Sequence, residues 1–366
     1  MRQDEESGMT EYFAPIRERI IAALEAYFRS NRQRMARINE LGLDVADRLL
    51  EFSLQGKMIR GCLVHLGYVL TSASRDLVPI PDSVATAGAA MELFQSGLLV
   101  HDDIMDRDLM RRGRPSVFAH YAQKARSEGH PDPDHLGESL GICAGDVAYF
   151  LAFELLGGLS SPRETGLSVI GLCARELAAV GVAQMQDVAW GAADTEVSEA
   201  QIARMYTYKT GRYSFSLPLM TGALLAGARP ERLDRWEELG EHMGLLFQLR
   251  DDELGLFGTE SETGKPVGTD VREGKKTLYS ARIMAAAKGR QRAWLSSIFG
   301  NPDATESDLD FVRASATSLG VRDALDLFSR EQEARALSLI EAIDTGSPAD
   351  RAALAALLDF TTKRRQ

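Results

Sequence analysis

The chain has 366 residues, 45% hydrophobic and 26% charged, with a formal net charge of -11. That composition is ordinary for a soluble globular protein, and the negative charge, with no long basic stripe to offset it, argues against nucleic-acid binding. Cys62, Cys143 and Cys173 lie far apart in the chain, which excludes a disulfide framework or a zinc site and reads as small buried apolar residues in a reducing compartment.

The first ten or so residues are polar and carry acids where a secretory leader needs a basic and then an apolar segment, so they read as a flexible start. Tyr12 to Arg29 and Leu41 to Phe52 have the spacing of amphipathic helices. Gly56 and Lys57 introduce a third helix that runs to about Val69 and holds Lys57 and Arg60 in its first turn. Cations there oppose the helix dipole, yet with free backbone N–H groups they make an anion site. Two snorkelling surface side chains would read the same way. Thr71 to Pro81, marked by two prolines, is a loop into the next helix.

From Met91 to Pro115 the chain reads MELFQSGLLVHDDIMDRDLMRRGRP. Leu93, Phe94, Gly97, Leu98, Val100 and Ile104 recur at helical spacing, which puts Asp102, Asp103 and Asp106 near the C-terminal end of a largely buried helix. Carboxylates lose stability at that negative end, so something cationic must compensate them. Asp102 and Asp106 share a face one turn apart, with Asp103 on its flank. Oxygen-only ligands of like charge suit a hard ion such as Mg2+ that shares its shell with phosphate; a solvated acidic helix end is the plainer alternative. Arg111 and Arg112 follow just before Gly113 and Pro115.

A short helix is expected after Pro115, then a break from Ser127 to Gly137 in which His130 and His135 lack metal-ligand spacing and read as solvent-exposed. Gly137 to about Val188 reads as helix, turn and helix, with Gln184 and Asp187 on one face near its end. The longest apolar run, Gly141 to Leu159, is broken by Asp146 and Glu154 and reads as unable to cross a bilayer. A cytoplasmic protein with no transmembrane segment is therefore expected. Glu199 to Ala228 reads as one long apolar helix holding Lys209, Thr210 and Gly211, bent where Pro218 has no N–H for the Ser214 carbonyl. The freed carbonyls suit a cationic centre, or a mere packing kink.

Glu231 to about Phe257 ends on a second acidic pair, Asp251 and Asp252. The stretch over 258–277, rich in Gly and charge and holding Lys265, Asp270, Arg272, Lys275 and Lys276, reads as a mobile loop. About four more helices follow, then a basic tail with Lys363, Arg364 and Arg365. No strand pattern survives, so the fold class is all-α: a single large helical bundle over residues 1–366. If the two acidic helix ends face one another, they form the mouth of a central apolar cavity.

Taken together, these segments resemble the trans-isoprenyl diphosphate synthases. The likeness rests on GKMIR (Gly56 to Arg60), DDIMD (Asp102 to Asp106), RRGRP (Arg111 to Pro115), KTG (Lys209 to Gly211), FQLRDD (Phe247 to Asp252) and GKPVGTDVREGKKT (Gly264 to Thr277). They stand in the family's order over about residues 50 to 280, each weak alone. Two positions depart from the pattern: Gly61 stands where proline is common, and the second acidic motif is DDELG, with Gly255 in place of its last acid.

The resemblance implies a Mg2+-dependent prenyl transfer, in which an allylic diphosphate ionises and isopentenyl diphosphate attacks the carbocation to give an all-trans product. By carry-over Asp102 and Asp106 hold two ions and Asp251 a third, about three per site, a clamp that neutralises a leaving diphosphate. Asp103 and Asp252 support them. Arg111, Lys209 and Lys265 hold the allylic diphosphate; Gly56, Lys57, Arg60, Gln95 and Arg112 hold isopentenyl diphosphate; Thr210 and Gln248 face the cation as dipoles. A homodimer is also implied. For product length, Gly97 and Leu98 lie one turn below Asp102, and Gly97 is expected to leave the tunnel open there. Phe94, and below it Met91, would form a floor roughly one 5.4 Å turn deeper, favouring C20, geranylgeranyl diphosphate, over C15 or C25. A non-catalytic partner subunit and a class I terpene cyclase are the rival readings.

Overall fold

Long apolar segments of helical period dictate a helical protein. The structure, a computed structural model, describes residues 2–72, 80–191, 196–259 and 267–363, and of residues 2–8 the backbone alone. The chain forms α1 (Arg2–Ala36), α2 (Glu40–Leu54), α3 (Ile59–Thr71), α4 (Asp82–Met105), α5 (Val117–Ser127), α6 (Pro133–Gly157), α7 (Arg163–Gly191) and α8 (Glu199–Tyr206). A π-helix (Thr207–Ser216) continues α8 into α9 (Leu217–Leu225), and α10 (Asp234–Phe257) carries the second acidic pair. Then come α11 (Thr269–Arg272), α12 (Leu278–Ala286), α13 (Gly289–Ile298), α14 (Glu306–Ser318), α15 (Val321–Glu341) and α16 (Pro348–Lys363). The fold class is all-α, as the periodicity requires.

The centre is α4, apolar on all sides, with Val84, Met91, Leu93 and Phe94 fully buried among α1, α3, α6 and α9. A second cluster joins α8, α10 and α11 to α15 through Ile202, Leu249, Ile283, Leu309 and Val312. Helix α10 serves both, turning Leu239, Met243 and Leu246 to the first and Leu245, Leu249 and Leu256 to the second.

Several local expectations are corrected. Helix α1 begins at Arg2, not near Tyr12, because Arg, Gln and Glu are good helix formers even in a polar stretch. Helix α3 starts at Ile59, so Lys57 precedes it and Met58, with φ 56°, makes the turn. His135 falls inside α6, which Asp132 caps, and both His130 and His135 are exposed. Cys143 is exposed, unlike Cys62 and Cys173. A two-residue hairpin pairs Met110–Arg111 with Arg114–Pro115, its turn made by Arg112 (φ 53°) and Gly113 (φ 75°), the doubly left-handed turn that suits a tight hairpin. In place of a bend at Pro218 there is a π-helix over Thr207–Ser216, and Pro218 stands in the first turn of α9. Over 267–277 the expected loop holds α11.

By length and composition α4, α6 and α7 could each cross a membrane, which corrects the expectation that no run suffices: two acids in α6 dilute its apolar window without breaking it. The window of α4 is 78% buried inside the protein, those of α6 and α7 only 44% and 33%. The apolarity of α4 thus belongs to the core, whereas α6 and α7 turn Ile142, Phe150, Leu167, Val182, Met185 and Val188 outward.

Helices α3 and α9 meet backbone to backbone: a Cβ on Gly222 would stand 2.0 Å from the Val64 carbonyl oxygen, and one on Gly67 2.1 Å from that of Leu219. Gly222→Ala is therefore expected to cost about 1–3 kcal/mol, the usual scale of overpacking, read as a lower urea midpoint at an unchanged m-value.

Candidate active site

Helix α4 ends in the first acidic motif, and the hairpin that follows folds back on it. Arg111 donates to Asp103 from Nε at 2.7 Å and from Nη2, and reaches Asp108 at 3.3 Å. Asp103 is fully buried, and its other oxygen, Oδ2, has no partner. Burial pushes the Asp103 carboxyl up to about 6 in spite of Arg111. Asp102 accepts a 3.2 Å bond from Gln184 of α7. Its pKa is raised, first by burial and then by Asp106, against the pull of Lys209, Arg111 and Lys275.

Lys275 joins the first acidic motif to the segment that packs against the second. Its Nζ lies 3.3 Å from Asp106, 3.7 Å from Asp270 and 3.1 Å from Glu273. Burial works against that charge, but the three carboxylates outweigh it and keep the ammonium firmly protonated. Asp270 Oδ2 lies 3.0 Å from where a Cβ on Gly255 would stand, so its carboxylate occupies the place of the acid missing from DDELG. Asp251 is half-buried near the end of α10. Asp252 is buried, accepting from the Tyr206 hydroxyl and from Gln248 Nε2 at 3.2 Å, and burial raises its pKa well above the usual range. It braces α10 against α8.

The π-helix brings four side chains to this space. Lys209 pairs with Asp187 at 2.6 Å, and Thr210 donates to Gln248 at 3.1 Å. Tyr213 donates to Gln95 at 2.9 Å, and Ser214 accepts from Arg60 at 2.6 Å. Arg60 also stacks on the Tyr213 ring, 4.9 Å from its centroid. Gly56 packs under Arg112, whose Nη2 would be 3.4 Å from a Cβ there, and Arg112 lies over Phe52. Lys57, exposed, lies 4.9 Å from the centroid of Phe360 on α16, beside a cleft of about 850 Å³ between α1, the turn before α3 and α16. Lys265, Arg364 and Arg365 lie outside the described residues.

The sequence reading missed Glu92. It is buried one helix turn below Ser96 and accepts the Gly61 N–H at 2.8 Å; burial raises its pKa while Arg60 and Arg112 lower it. It is the counter-charge of the basic group. A lone acid in an apolar helix was the available signal. Lys275 and Asp270 were noted as loop charges only, and Tyr149 was not noted at all. A Cβ on Gly97 would stand 2.7 Å from the Tyr149 ring of α6, so Gly97 does not leave an opening at its level: Tyr149 fills it. Phe94 and Met91 are fully buried, Phe94 edge-on to Phe153 with centroids 4.9 Å apart, and Leu98 is half-buried.

A divalent ion fits this donor chemistry. Asp102, Asp106 and Asp251 offer oxygen only, an unpartnered buried oxygen remains at Asp103, and a lysine already supplies positive charge between the two acidic ends. Among the described residues no three acid, His or Cys groups stand close enough to hold an ion by themselves.

Acidic ends of two apolar helices, faced by arginines and lysines in an all-α bundle, suit an anionic ligand held with a divalent ion. A family model described as polyprenyl synthetase matches residues 45–315. Geranylgeranyl diphosphate synthase of Sulfolobus acidocaldarius is 30% identical over 86% of this chain and 89% of its own length. (2E,6E)-farnesyl diphosphate synthase of Mycobacterium tuberculosis is 34% identical over 69% of this chain and 65% of its own. A crystal structure of geranylgeranyl pyrophosphate synthase from Corynebacterium glutamicum, complexed with isoprenyl diphosphate and magnesium, superposes with a TM-score of 0.87 at 27% identity, over 95% of this chain and 98% of that one. The chain belongs to the polyprenyl synthetase family of trans-isoprenyl diphosphate synthases, and it is a trans-prenyltransferase.

The raised carboxyl of Asp103 has a consequence for stability. Between its unfolded value near 4 and about 6 the folded chain holds a proton that the unfolded chain has released, so this group's contribution falls as pH rises through that window. Urea midpoints of wild type and Asp103→Asn, measured without metal from pH 4 to 7, should diverge in that direction, wild type losing ground to the variant as pH rises.

Proposed function

We propose that this enzyme condenses isopentenyl diphosphate with allylic diphosphates in a Mg2+-dependent reaction, giving an all-trans short-chain product. The observation that carries this reading is the pairing of two anion-binding groups around one acidic mouth. Arg111 and Lys209 stand with Asp102, Asp103 and Asp187, while Gly56, Arg60 and Arg112 cluster with Glu92 one helix away. One group suits a leaving diphosphate and the other a diphosphate that stays attached.

Bound at Asp102, Asp106 and Asp251, Mg2+ supplies neutralisation of the leaving group's charge. Arg111 and Lys209 orient the allylic diphosphate by charge-assisted hydrogen bonds. Arg60 and Arg112, with Lys57 at the rim, hold isopentenyl diphosphate so that its double bond meets the allylic carbon. Thr210 and Gln248, hydrogen-bonded to each other, turn oxygen dipoles toward the developing cation. Apolar walls around Phe94, Leu98 and Phe247 exclude water that would quench it. No side-chain base is assigned; the departing diphosphate takes the proton.

C20 is the product that a floor at Phe94 and Phe153 supports. Tyr149 over Gly97 favours C15 as the second reading, since it sits one turn higher. The exposed apolar faces of α6 and α7 support a homodimer through those helices, and the chain is read as a single cytoplasmic domain. Asp270 in the place of the acid lost at Gly255 counts against a non-catalytic partner subunit.

The test is incubation with Mg2+, labelled isopentenyl diphosphate and C5, C10 or C15 starters, followed by chain-length analysis. A C20 product that Phe94→Ala lengthens is expected; a C15 product that Tyr149→Ala lengthens would move the floor to Tyr149, and no elongation with any starter would overturn the reading. Asp102→Asn should lower kcat by about 10²–10³-fold, the scale for losing one preorganised charge-stabilising group. Sedimentation should show a dimer, and Phe150→Glu with Met185→Glu should give monomers.

A further inference from the structure

The π-helix is unusually long for its kind, spanning Thr207–Ser216, where such hydrogen bonding ordinarily persists for a single turn and tends to mark function. One side of it meets four different helices of the site: Lys209 meets α7, Thr210 meets α10, Tyr213 meets α4 and Ser214 meets α3. Its i to i+5 bonding brings residues four and five apart together, so Lys209 falls with Tyr213 and Ser214.

The reverse side carries Arg212. Its guanidinium takes Glu176 of α7 in a two-pronged pair, Nε at 2.7 Å and Nη2 at 2.9 Å, and reaches Glu241 at 3.0 Å and Glu237, both on α10. Glu176 is 1% exposed and Arg212 11%, so the two-pronged pair is largely shielded from water and is of the strong, directional kind, while Glu237 and Glu241 are half-buried. Backbone contact adds to the anchor: a Cβ on Gly244 would lie 2.0 Å from Gly211 Cα, and one on Gly240 2.2 Å from Ser216 N. Downstream, α9 is locked to α3 through Gly67 and Gly222. Upstream lies the eight-residue α8, held to α10 through Tyr206 and Asp252. If the π register relaxed to α spacing, the upstream half would turn by about 100°, the angle of one residue, and Lys209 and Thr210 would leave the site.

We propose that Arg212 is a positioning residue for prenyl transfer: by pinning the reverse side of the π-helix to α7 and α10 it holds the register that aims Lys209 and Thr210 at the allylic diphosphate. This rests on the assignment of Lys209 and Thr210 made above. The turn falls on the half of the π-helix before Arg212, so loss of Arg212 should fall on the allylic side; Arg60 leans on Tyr213 and Ser214, which follow Arg212, and Arg112 stands on the hairpin, so isopentenyl diphosphate should be spared.

The test measures steady-state kinetics, thermal midpoints, and calorimetric affinity for an unreactive allylic thiolodiphosphate, for wild type, Arg212→Met, Arg212→Lys and Gly244→Ala. Arg313→Met, which loses bonds to Leu256, Glu306 and Asp310, none of them on the π-helix, controls for stability. Arg212→Met should lower kcat by about 10²-fold, the cost of roughly 1 Å of misplacement, and weaken the thiolodiphosphate while the KM for isopentenyl diphosphate holds. Gly244→Ala, which pushes the same helix from α10, should show the same split, and Arg212→Lys should recover part of it. If the Arg212 variants lose thermal stability but keep kcat and thiolodiphosphate affinity, as Arg313→Met should, the proposal is overturned. Should Arg212→Met not fold, the lysine and Gly244→Ala variants decide by the same split. If wild type binds the thiolodiphosphate but elongates no starter, the elongation reading fails and the affinity split alone decides for or against Arg212.

Discussion

Carboxylates buried at the negative ends of two apolar helices are the constraint on which the structure depends. Each is disfavoured twice, by lost hydration and by the helix dipole, and in Asp102 and Asp106 by mutual repulsion as well. Neighbouring segments answer that cost with cations from elsewhere in the chain: the hairpin turns back to bring Arg111 to Asp103, and the α11 region folds over to bring Lys275 to Asp106. The mouth of the site is thus the place where the chain's electrostatic debts are settled by intramolecular partners that a substrate complex could exchange for others.

The same logic operates with opposite sign about three turns back along α4. Arg60 and Arg112 share a small volume with a single buried acid, Glu92, and with the N–H of Gly61. One carboxylate facing two guanidiniums leaves net positive charge, which is what an anion needs. At the acidic mouth the balance is reversed, which is what a cation needs. The two regions lie on the same helix, α4, about three turns apart at Glu92 and Asp103, so a stiff rod sets their separation.

How much was legible in the sequence follows from where each constraint lives. Asp102, Asp106, Arg111 and Arg112 were legible because their spacing is local and a helix converts spacing into direction. The all-α class was legible for the same reason. Tyr149 was not, because nothing in α6 states that its ring will enter the gap left by Gly97 on α4. Asp270 was not, because its tie to Gly255 depends on how a loop returns. The π-helix was hidden as well: its hydrogen-bond register is chosen by Arg212 and by glycine contacts with α10, whereas the visible signal, Pro218, pointed to a bend a few residues later. Apolar content misled at the membrane question, since the same residues serve a core in α4 and an outward face in α6 and α7.

Helix α10 belongs to both hydrophobic clusters, one set of its side chains facing each. A chain of this length could come apart in stages, with one cluster melting while the other persisted. A shared rod removes that option: neither cluster can lose its wall without opening the other. The two halves of the core are thereby coupled into one cooperative unit, and a disturbance near the second acidic pair is felt in packing as far away as Trp236 at the other end of the same helix.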